Sequence, residues 1–367
     1  MQELNGNGNS VQIPGLGPKR LDSLKNHGIK TIEDLIEIPF ESLLKVPLIG
    51  FKSAYNIKVY LGIEIDYPSM IKADHIQFDD NVVIENKTIR SWRNYKKSII
   101  NGMQPENFQL QRTTVWSFPD RGDWASHTPQ YRGNWSPHVA RNVILRYSQP
   151  GDLVLDPMVG GGTTPVECKL LNRNSISVDI NPDAIRITKD RLDLPKDNLE
   201  LEETDHWLFI GDVRNLNSIR DETIDLIASH PPYANIIKYA PKHDGDLSLI
   251  NDYGIFFKEF SKAIKEMYRV LKPGAYCAIL IGDTHNKSHY VPTSARMMMD
   301  FLKEGFILKE DIIKKEWNCE SDRYLKKYSN SNFLLTMHEH LFIFRKPKID
   351  EKIQEFKNSS IGFFDPK

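Results

Sequence analysis

The sequence predicts an α/β protein in which a Rossmann-like parallel sheet follows a small N-terminal all-helical domain. From residue 113 onward, short apolar runs alternate with helical stretches, which is the pattern of strands joined by crossover helices. A glycine-rich turn lies between the first of these strands and the helix after it. Between residues 11 and 62 the apolar residues instead recur at helical spacing around two glycine turns.

The composition is that of an ordinary globular protein. The chain has 367 residues, more than one typical domain, with 40% hydrophobic and 26% charged residues. It has no apolar run long enough to span a membrane and no signal-peptide core, so we expect a cytoplasmic protein. The net charge of −1 leaves nucleic-acid binding open, because such binding depends on a local basic face. The distant cysteines Cys168, Cys277 and Cys319 match neither a disulfide framework nor a zinc knuckle, and we expect no metal.

Changes in pattern divide the chain into five segments. Residues 1–10 are polar and are predicted to be a disordered tail, and residues 11–62 form the helical domain. Residues 63–110 are interpreted as a linker or a target-recognition segment. The α/β domain spans residues 111–347, and residues 348–367 are predicted to be a loose C-terminal tail.

The individual elements follow from the same periodicities. In the helical domain Thr31 is a predicted N-cap, with Asp34 three residues later in a near capping box. In the α/β domain strands are predicted at Leu153–Leu155, Ser175–Val178, Trp207–Ile210, Ile224–Ala228, Ala275–Ile281, Phe306–Ile313 and Leu341–Phe344. Helices are predicted at Pro165–Leu171, Asp183–Arg191, Phe256–Leu271 and Thr293–Leu302.

The glycine-rich turn is the strongest signal for a ligand. The strand Leu153–Leu155 ends in Asp156 and Pro157, and Gly160 and Gly162 then allow a ligand to approach the backbone before the helix that Thr163 begins. No Lys-Ser/Thr pair follows, so the turn is not a phosphate-binding P-loop. A turn without a ligand and a dinucleotide site remain alternatives, although the Asp-Pro pair before the glycines disfavours the second.

Two further acids end the next two strands. Asp179, followed by Ile180, comes one βα unit after the glycine turn, where a carboxylate can accept hydrogen bonds from a ribose diol. Asp212, followed by Val213, comes after the strand Trp207–Ile210 and is positioned to face an adenine edge. Open α/β sheets provide ligand sites of this kind at the ends of successive strands.

A proline loop follows the strand Ile224–Ala228 with the sequence Ser229-His230-Pro231-Pro232-Tyr233. The two prolines make the loop stiff and leave its carbonyl oxygens as fixed acceptors. Such acceptors suit an amino group whose lone pair is delocalised into a base ring, and Tyr233 can stack on that base. The alternative is a rigid turn with no chemical role, since Pro-Pro alone has little specificity.

Together, Asp156–Thr164 and His230–Tyr233 resemble the amino-group DNA methyltransferases of restriction–modification systems. Their tetrad is Ser, Asp or Asn, then Pro-Pro, then Tyr or Phe, and the upstream block Trp116–His138 also resembles them. The resemblance covers about residues 116–346. It implies a sheet of the S-adenosylmethionine-dependent methyltransferase type, S-adenosylmethionine as cofactor, double-stranded DNA as substrate and a cognate restriction endonuclease as a partner.

The resemblance also assigns roles to residues. It implies that Asp156 and the glycines contact the methionine moiety, Asp179 the ribose and Asp212 the adenine, with the upstream block beside the methionine end. The predicted cofactor residues are Trp135, His138, Asp156, Pro157, Gly160, Gly162, Thr163, Asp179, Ile180, Asp212 and Val213. The predicted catalytic residues are Ser229, His230, Pro231, Pro232 and Tyr233.

The first tetrad position departs from the family pattern, because it is His230. A neutral imidazole can accept an amine hydrogen bond. Either His230 does so, or Ser229 acts from one residue back, or the backbone carbonyls suffice. The serine-like neighbourhood favours cytosine-N4 over adenine-N6 as the target. Carbon-5 methylation is excluded, because none of the three cysteines follows a proline.

The N-terminal glycine turns resemble helix-hairpin-helix DNA-binding units. In such units backbone amides and a helix N-terminus contact a phosphate without reading sequence. The predicted DNA-binding residues are Gly15, Gly17, Lys19, Arg20, Gly50 and Lys52. A helical protein-interaction module is the alternative.

Three other parts of the sequence contain polar residues that could have a role at a site. The basic stretches Arg90–Lys97 and Lys314–Tyr328 are candidates for reading the target sequence, or are solvated faces. Asp283-Thr284-His285 ends a strand where it can line the pocket. His338-Glu339-His340 matches no zinc motif and is interpreted as structural, and the resemblance places it at the start of a late strand near the flipped base.

We therefore predict a site-specific DNA methyltransferase acting on an exocyclic amine. The alternatives are a methyltransferase for an RNA base amine or a protein glutamine, and a cofactor-sensing DNA-binding protein without activity.

Overall fold

The computed structural model describes residues 4, 13, 16–49, 51–63, 67, 69–75, 81–84, 87–90, 102–129, 131, 133–194, 202–233, 245–317 and 332–364. Three predicted segments lie wholly or partly outside these ranges. They are most of the predicted tail at residues 1–10, most of the basic stretch at residues 90–97, and the part of the other basic stretch that follows residue 317.

The described part of the N-terminal domain is helical, as predicted. Its helices are α1 (Pro18–Asn26), α2 (Ile32–Glu37), α3 (Phe40–Leu44) and α4 (Phe51–Tyr60). The predicted N-cap of α2 is confirmed, because the Thr31 hydroxyl accepts a hydrogen bond from the Asp34 amide at 3.1 Å. The Asp34 carboxylate in turn accepts one from the Thr31 amide at 2.8 Å, which completes a capping box.

A buried lysine ties two of these helices together. Lys58 on α4 donates from Nζ to the carbonyl oxygens of Leu35 and Ile36, at 2.9 and 3.1 Å. Carbonyls at a helix C-terminus lack intrahelical partners, so this ammonium group satisfies the end of α2. Leu35 and Ile57 are fully buried beside it and belong to the apolar core of the protein.

The α/β domain is built on one sheet, which has nine strands among the described residues. In spatial order they are β1 (Ile71–Lys72), β7 (His206–Ile210), β6 (Asn174–Asp179), β5 (Leu153–Asp156), β8 (Ile224–Ser229), β9 (Leu271–Gly282), β13 (His338–Arg345), β12 (Ile307–Lys315) and β4 (Val115–Ser117). Strands β5 to β9 are parallel, and β13 is antiparallel to both of its neighbours. The strand order reverses direction between β5 and β8, where open α/β sheets bind ligands. Two separate hairpins pair β2 (Asn81–Ile84) with β3 (Lys87–Arg90), and β10 (Thr284–Asn286) with β11 (His289–Val291).

Helices cover both faces of this sheet. They are α5 (Pro137–Tyr147), α6 (Thr163–Leu170), α7 (Pro182–Leu192), α8 (Tyr253–Val270) and α9 (Thr293–Glu304), with short 3-10 helices at Ala73–His75, Leu247–Leu249, Ile353–Ser359 and Ile361–Phe363. Successive strand residues face opposite sides of a sheet. Val154 accordingly belongs to the core that contains Val143 of α5, whereas Leu155 belongs to the core that contains Phe260 of α8.

The predicted fold class is confirmed, and each predicted strand and helix of the α/β domain is present within a few residues of its expected bounds. One boundary is wrong, because Leu271 begins β9 instead of ending a helix. Strand β1 lies in the segment predicted to be a linker or target-recognition segment. It pairs with β7, so part of that segment extends the sheet.

The C-terminal segment differs from the prediction of a loose tail. Its described part contains the two 3-10 helices that end at Ser359 and Phe363. The Arg345 guanidinium lies 5.1 Å from the centre of the Phe356 ring and donates to Glu351 at 2.7 Å. Ile361 packs against the main core. Isolated apolar residues in a polar segment carry no periodicity, which is why the sequence pattern missed this packing.

Candidate functional site

A cavity opens at the carboxyl ends of β5, β6, β7 and β8. It encloses about 730 Å³, part of which is open to solvent. The loops after these strands line it with residues 156–160, 179–181, 211–213, 230 and 232. Two further segments contribute residues 131, 133–135 and 245–247. The glycine turn, the two later acids and the proline loop therefore face one cavity.

The glycine turn is shaped by close packing. Gly160 and Gly162 have φ angles of +52° and +82°, which favour glycine. Gly161 matters for a different reason, because a Cβ there would lie 2.7 Å from the Asn134 Oδ1 atom. The Gly161 amide donates to that oxygen at 2.9 Å, so the turn and the upstream segment are held in contact.

Asp156 is a buried junction between three parts of the site. Its carboxylate accepts hydrogen bonds from the Ser229 hydroxyl at 2.8 Å, the Thr164 hydroxyl at 2.5 Å and the Met158 amide at 3.2 Å. Burial raises the pKa of Asp156 to about 6, although the hydrogen bonds from Thr164 and Ser229 oppose that rise. Asp156 thus joins the end of β8 to the glycine turn and the start of α6.

Asp179 presents its carboxylate at the cavity. Each oxygen accepts one backbone hydrogen bond, from Gly160 at 2.8 Å and from Asn181 at 2.9 Å. An ionised carboxylate has about four acceptor positions, so it can still accept from a ligand diol. Burial raises the pKa of Asp179 to about 7, against the effect of these backbone donors.

Asp212 lines the cavity but is engaged by an arginine. Its oxygens accept from the Nε of Arg214 at 2.9 Å and from an Nη atom of Arg214 at 2.5 Å. Arg214 also donates to Glu259 at 2.8 Å and lies over the Tyr67 ring at 4.1 Å. This buried network places the segment before β1 next to the loop after β7, and Met70 packs against Gly211 there.

The upstream segment supplies a residue that the sequence prediction missed. Trp135 lines the cavity, as expected, and so does Asn134. The Asn134 Nδ2 atom is buried and has no hydrogen-bond partner among the described residues. An unpaired buried donor next to the glycine turn is suited to a ligand acceptor. Arg121 holds this segment by donating to the Asn134 and Trp135 carbonyls, both at 2.9 Å.

Three predicted cofactor residues do not line the cavity. The His138 ring stacks on Phe118 with centroids 5.1 Å apart, and burial lowers its pKa. A Cβ at Gly162 would lie 2.8 Å from the Thr188 Oγ1 atom, so this glycine serves the packing of α6 on α7. Thr163 is buried at the start of α6.

The proline loop divides its residues between core and cavity. His230 and Pro232 line the cavity, whereas Pro231 is buried. Ser229 is fully buried and its hydroxyl donates to Asp156, so it lies behind the cavity wall. The half-buried Tyr233 packs against Gly282, where an added Cβ would lie 3.0 Å from its ring.

Two family models match the chain. One is described as DNA methylase, of the N6/N4 type, and matches residues 51–190 and 224–361. The other is described as a SAM-like helix-hairpin-helix tandem and matches residues 11–62, the range of the predicted helical domain. The chain belongs to the N6/N4 DNA methylase family.

Individual members of this family are similar to the chain over part of their length. The type II methyltransferase M.HpaI of Haemophilus parainfluenzae is 38% identical over 114 residues, which is 29% of this chain and 32% of the relative. The DNA adenine methyltransferase YhdJ of Escherichia coli K12 is 33% identical over 121 residues, 31% of this chain and 38% of the relative. The chain thus spans about a third of the length of each. The putative DNA modification methylase TTHA0409 of Thermus thermophilus, solved in complex with S-adenosyl-L-methionine, is 24% identical with a TM-score of 0.29, covering 40% of this chain and 58% of that one.

The predicted DNA-contacting residues lie within residues 11–62, the range that the helix-hairpin-helix model matches. Gly17 is the N-cap of α1, and Lys19 in its first turn is exposed. Arg20 donates to the Leu48 carbonyl at 3.1 Å, which ties the first glycine turn to the second. Gly15, Gly50 and the side chain of Lys52 lie outside the described part of the structure.

Two further features bear on membrane insertion and metal binding. Within the described residues, no helix is long and apolar enough to cross a membrane. The same residues contain no cluster of histidine, cysteine and acidic side chains that could hold a metal ion.

Proposed function

We propose that this chain is an S-adenosylmethionine-dependent DNA methyltransferase that modifies the exocyclic amine of a base turned out of the duplex. One observation carries the proposal. His230 and Pro232, from the loop after β8, line the same cavity as Asp156, Gly160 and Asp179. Family membership supports DNA as the substrate.

The lining of the cavity fits S-adenosylmethionine. The Asn134 Nδ2 donor is suited to the methionine carboxylate, because it is buried and otherwise unpaired among the described residues. Asp179 retains acceptor positions for a ribose diol. When bound, the cofactor supplies an electrophilic methyl group on a sulfonium.

The chain's own residues would hold the target amine. The loop that contains Pro231 and Pro232 is stiff, so its carbonyl oxygens are fixed acceptors for an amine. The Tyr233 ring would stack on the base and orient it. Orientation and preorganised hydrogen bonding supply the catalysis in such a site, and no protein nucleophile is needed.

DNA binding by the N-terminal domain would support base extrusion. Turning a base out of the stack costs a few kcal/mol. The exposed Lys19 at the N-terminus of α1 is positioned to contact a phosphate, and such contacts add affinity without reading sequence.

The structure bears on which base is modified. The sequence favours cytosine-N4 because a serine, Ser229, precedes His230. Ser229 donates to Asp156 and does not line the cavity, so it no longer favours cytosine. Cytosine-N4 and adenine-N6 are therefore two outcomes of the test below.

The test is methyl transfer from labelled S-adenosylmethionine to duplex DNA, RNA and protein, followed by digestion of the DNA and mass analysis of its nucleosides. N4-methylcytosine or N6-methyladenine in the DNA supports the proposal and identifies the base. Label in RNA or protein alone supports a different substrate class. Tight cofactor binding with no transfer in a single turnover would indicate a sensor, and 5-methylcytosine would overturn the amine chemistry.

A further inference from the structure

The segment His338-Glu339-His340, interpreted from the sequence as structural, lies beside the proline loop. Glu339 is in β13, opposite Gly282 of β9 and Lys314 of β12. Because β13 is antiparallel to β9, its first residues lie at the carboxyl end of β9, the edge that carries the cavity. The Glu339 side chain is buried at this edge.

A chain of hydrogen bonds connects Glu339 to the first residue of the tetrad. The Tyr233 hydroxyl donates to the Oε1 atom of Glu339. The His230 Nε2 atom lies 2.7 Å from the same hydroxyl oxygen. The other carboxylate oxygen, Oε2, accepts from the Lys314 ammonium at 3.0 Å.

The charge of Glu339 sets the direction of these bonds. Burial alone would raise the pKa of Glu339, but the Lys314 ammonium and the hydrogen bonding with His230 hold it well below its ordinary range. An ionised carboxylate can only accept, so the single phenolic proton of Tyr233 points to Glu339. The Tyr233 oxygen must then accept from His230, which places a proton on Nε2.

In a neutral imidazole that carries its proton on Nε2, the other nitrogen, Nδ1, has a lone pair and can accept a hydrogen bond. The His230 Nδ1 atom is buried and has no hydrogen-bond partner among the described residues. His230 lines the cavity, whereas Ser229 does not. An unpaired buried acceptor thus stands at the tetrad position where the resemblance predicts an acceptor for the target amine.

We propose that Glu339 is a positioning residue that acts through Tyr233 to hold His230 as the neutral Nε2–H tautomer, so that Nδ1 accepts a hydrogen bond from the target amine. This inference rests on the proposed function and adds to it a residue 106 positions from Tyr233 in the sequence. Other charged groups near Glu339 are Lys314, Arg121 and Glu316. Glu316 pairs with Lys314, and burial followed by the neighbouring Glu339 charge raises the pKa of Glu316 to about 7.

The first test is the ¹⁵N NMR spectrum of histidine-labelled full-length protein, with the His230→Gln variant used to assign the resonances. In the wild-type protein we expect Nε2 to carry the proton and Nδ1 to be unprotonated. In Glu339→Gln the new amide can donate to the Tyr233 oxygen, which frees the Tyr233 hydroxyl to donate to His230 Nε2. We therefore expect the Nδ1–H tautomer of His230 to become populated in this variant. A wild-type protein in the Nδ1–H form would overturn the inference, whether or not the protein methylates DNA.

The second test measures turnover and binding in the same variants. Glu339→Gln and Tyr233→Phe should each lower kcat about tenfold to a hundredfold, the range for loss of one hydrogen bond to a charged group. The KM for DNA and the Kd for S-adenosylmethionine should change less than about threefold. The double variant should be no slower than the slower single variant, because both changes interrupt one chain.

The matched control is His340→Gln, on the next residue of β13, whose side chain bonds to Asp311 at 3.0 Å and not to the tetrad. We expect it to keep both the tautomer and kcat. If wild-type protein transfers methyl groups while Glu339→Gln keeps full kcat and the Nε2–H tautomer, the inference is wrong and the proposed function stands. If the wild-type protein transfers none to DNA, the proposed function and the role of Nδ1 toward the amine both fail.

Discussion

The Ser229→Ala variant shows whether Ser229, at the start of the proline loop, stabilises the fold or takes part in catalysis. The Ser229 hydroxyl is fully buried and donates to Asp156 at 2.8 Å. Asp156 keeps its bonds from Thr164 and Met158, so Ser229→Ala removes one of three donors. A hydrogen bond to a charged group contributes about 1.5–3 kcal/mol, and we expect a loss of unfolding free energy in that range. For a domain of this size that corresponds to a fall in Tm of roughly 3–12 °C.

The pH dependence of this loss has a defined sign. Burial raises the folded-state pKa of Asp156 to about 6, above its ordinary value, so the carboxylate is ionised only above that pH. The lost bond stabilises the ionised form, and removing it raises the pKa further. The destabilisation should therefore be greatest at high pH, where Asp156 is ionised in both proteins, and should shrink as the pH falls from the raised pKa of the variant toward about 6.

Calorimetry and steady-state kinetics together test this reasoning. Ser229→Ala should keep kcat within about threefold of wild type, as should the control Thr164→Val, which removes another donor to the same carboxylate. His230→Ala should instead lower kcat by about a hundredfold, with a smaller change in Tm. A Ser229→Ala protein with unchanged Tm and a hundredfold lower kcat would refute the placement of Ser229 behind the cavity wall.

Three further predictions concern the cofactor and DNA. Burial raises the pKa of Asp179 to about 7, and ribose hydroxyls favour its ionised form. The affinity for S-adenosylmethionine, measured by calorimetric titration, should therefore fall as the pH drops below 7. The Asp179→Asn variant should bind the cofactor weakly and with no such dependence on pH. Asn134→Ala should weaken cofactor binding about tenfold, the effect of losing one hydrogen bond of about 1.4 kcal/mol. His138→Ala should leave the Kd nearly unchanged, because the His138 ring stacks on Phe118 and does not line the cavity. A larger loss of affinity in His138→Ala than in Asn134→Ala would contradict this lining of the cavity. Lys19→Ala should reduce the slope of log K against log salt for duplex DNA by about 1, and an unchanged slope would remove Lys19 from the phosphate contacts.

The sequence predicted the central sheet well, because its strands carry continuous apolar runs. Leu153–Asp156 and Ile224–Ser229 are short, buried and followed by recognisable turns. Strands β1 and β4 have two and three residues, too few to show a period, and they form only by pairing with distant strands. The 3-10 helices Ile353–Ser359 and Ile361–Phe363 were missed because isolated apolar residues in a polar segment carry no periodicity.

At the site, the sequence predicted which loops meet but not which side chains face inward. Alternation along β8 could have indicated that Ser229 shares a face with the core residue Ile227. Asn134 lies within the upstream block Trp116–His138, yet only its contact with Gly161 distinguishes it from its neighbours. Glu339 lies in a polar segment that the sequence marks out, but its role could not be predicted, because that role depends on Tyr233 and Lys314, which belong to other strands and loops.

The proposed reaction requires a methyl donor in the cavity that faces an amine held by the proline loop. A crystal structure with S-adenosylhomocysteine and duplex DNA containing the target base would show whether the two groups face each other. We expect the sulfur atom beside the glycine turn, the extruded base against Tyr233, and its amine nitrogen within hydrogen-bond distance of His230 Nδ1. A cofactor bound elsewhere, or one whose sulfur points away from His230 and Pro232, would contradict the account.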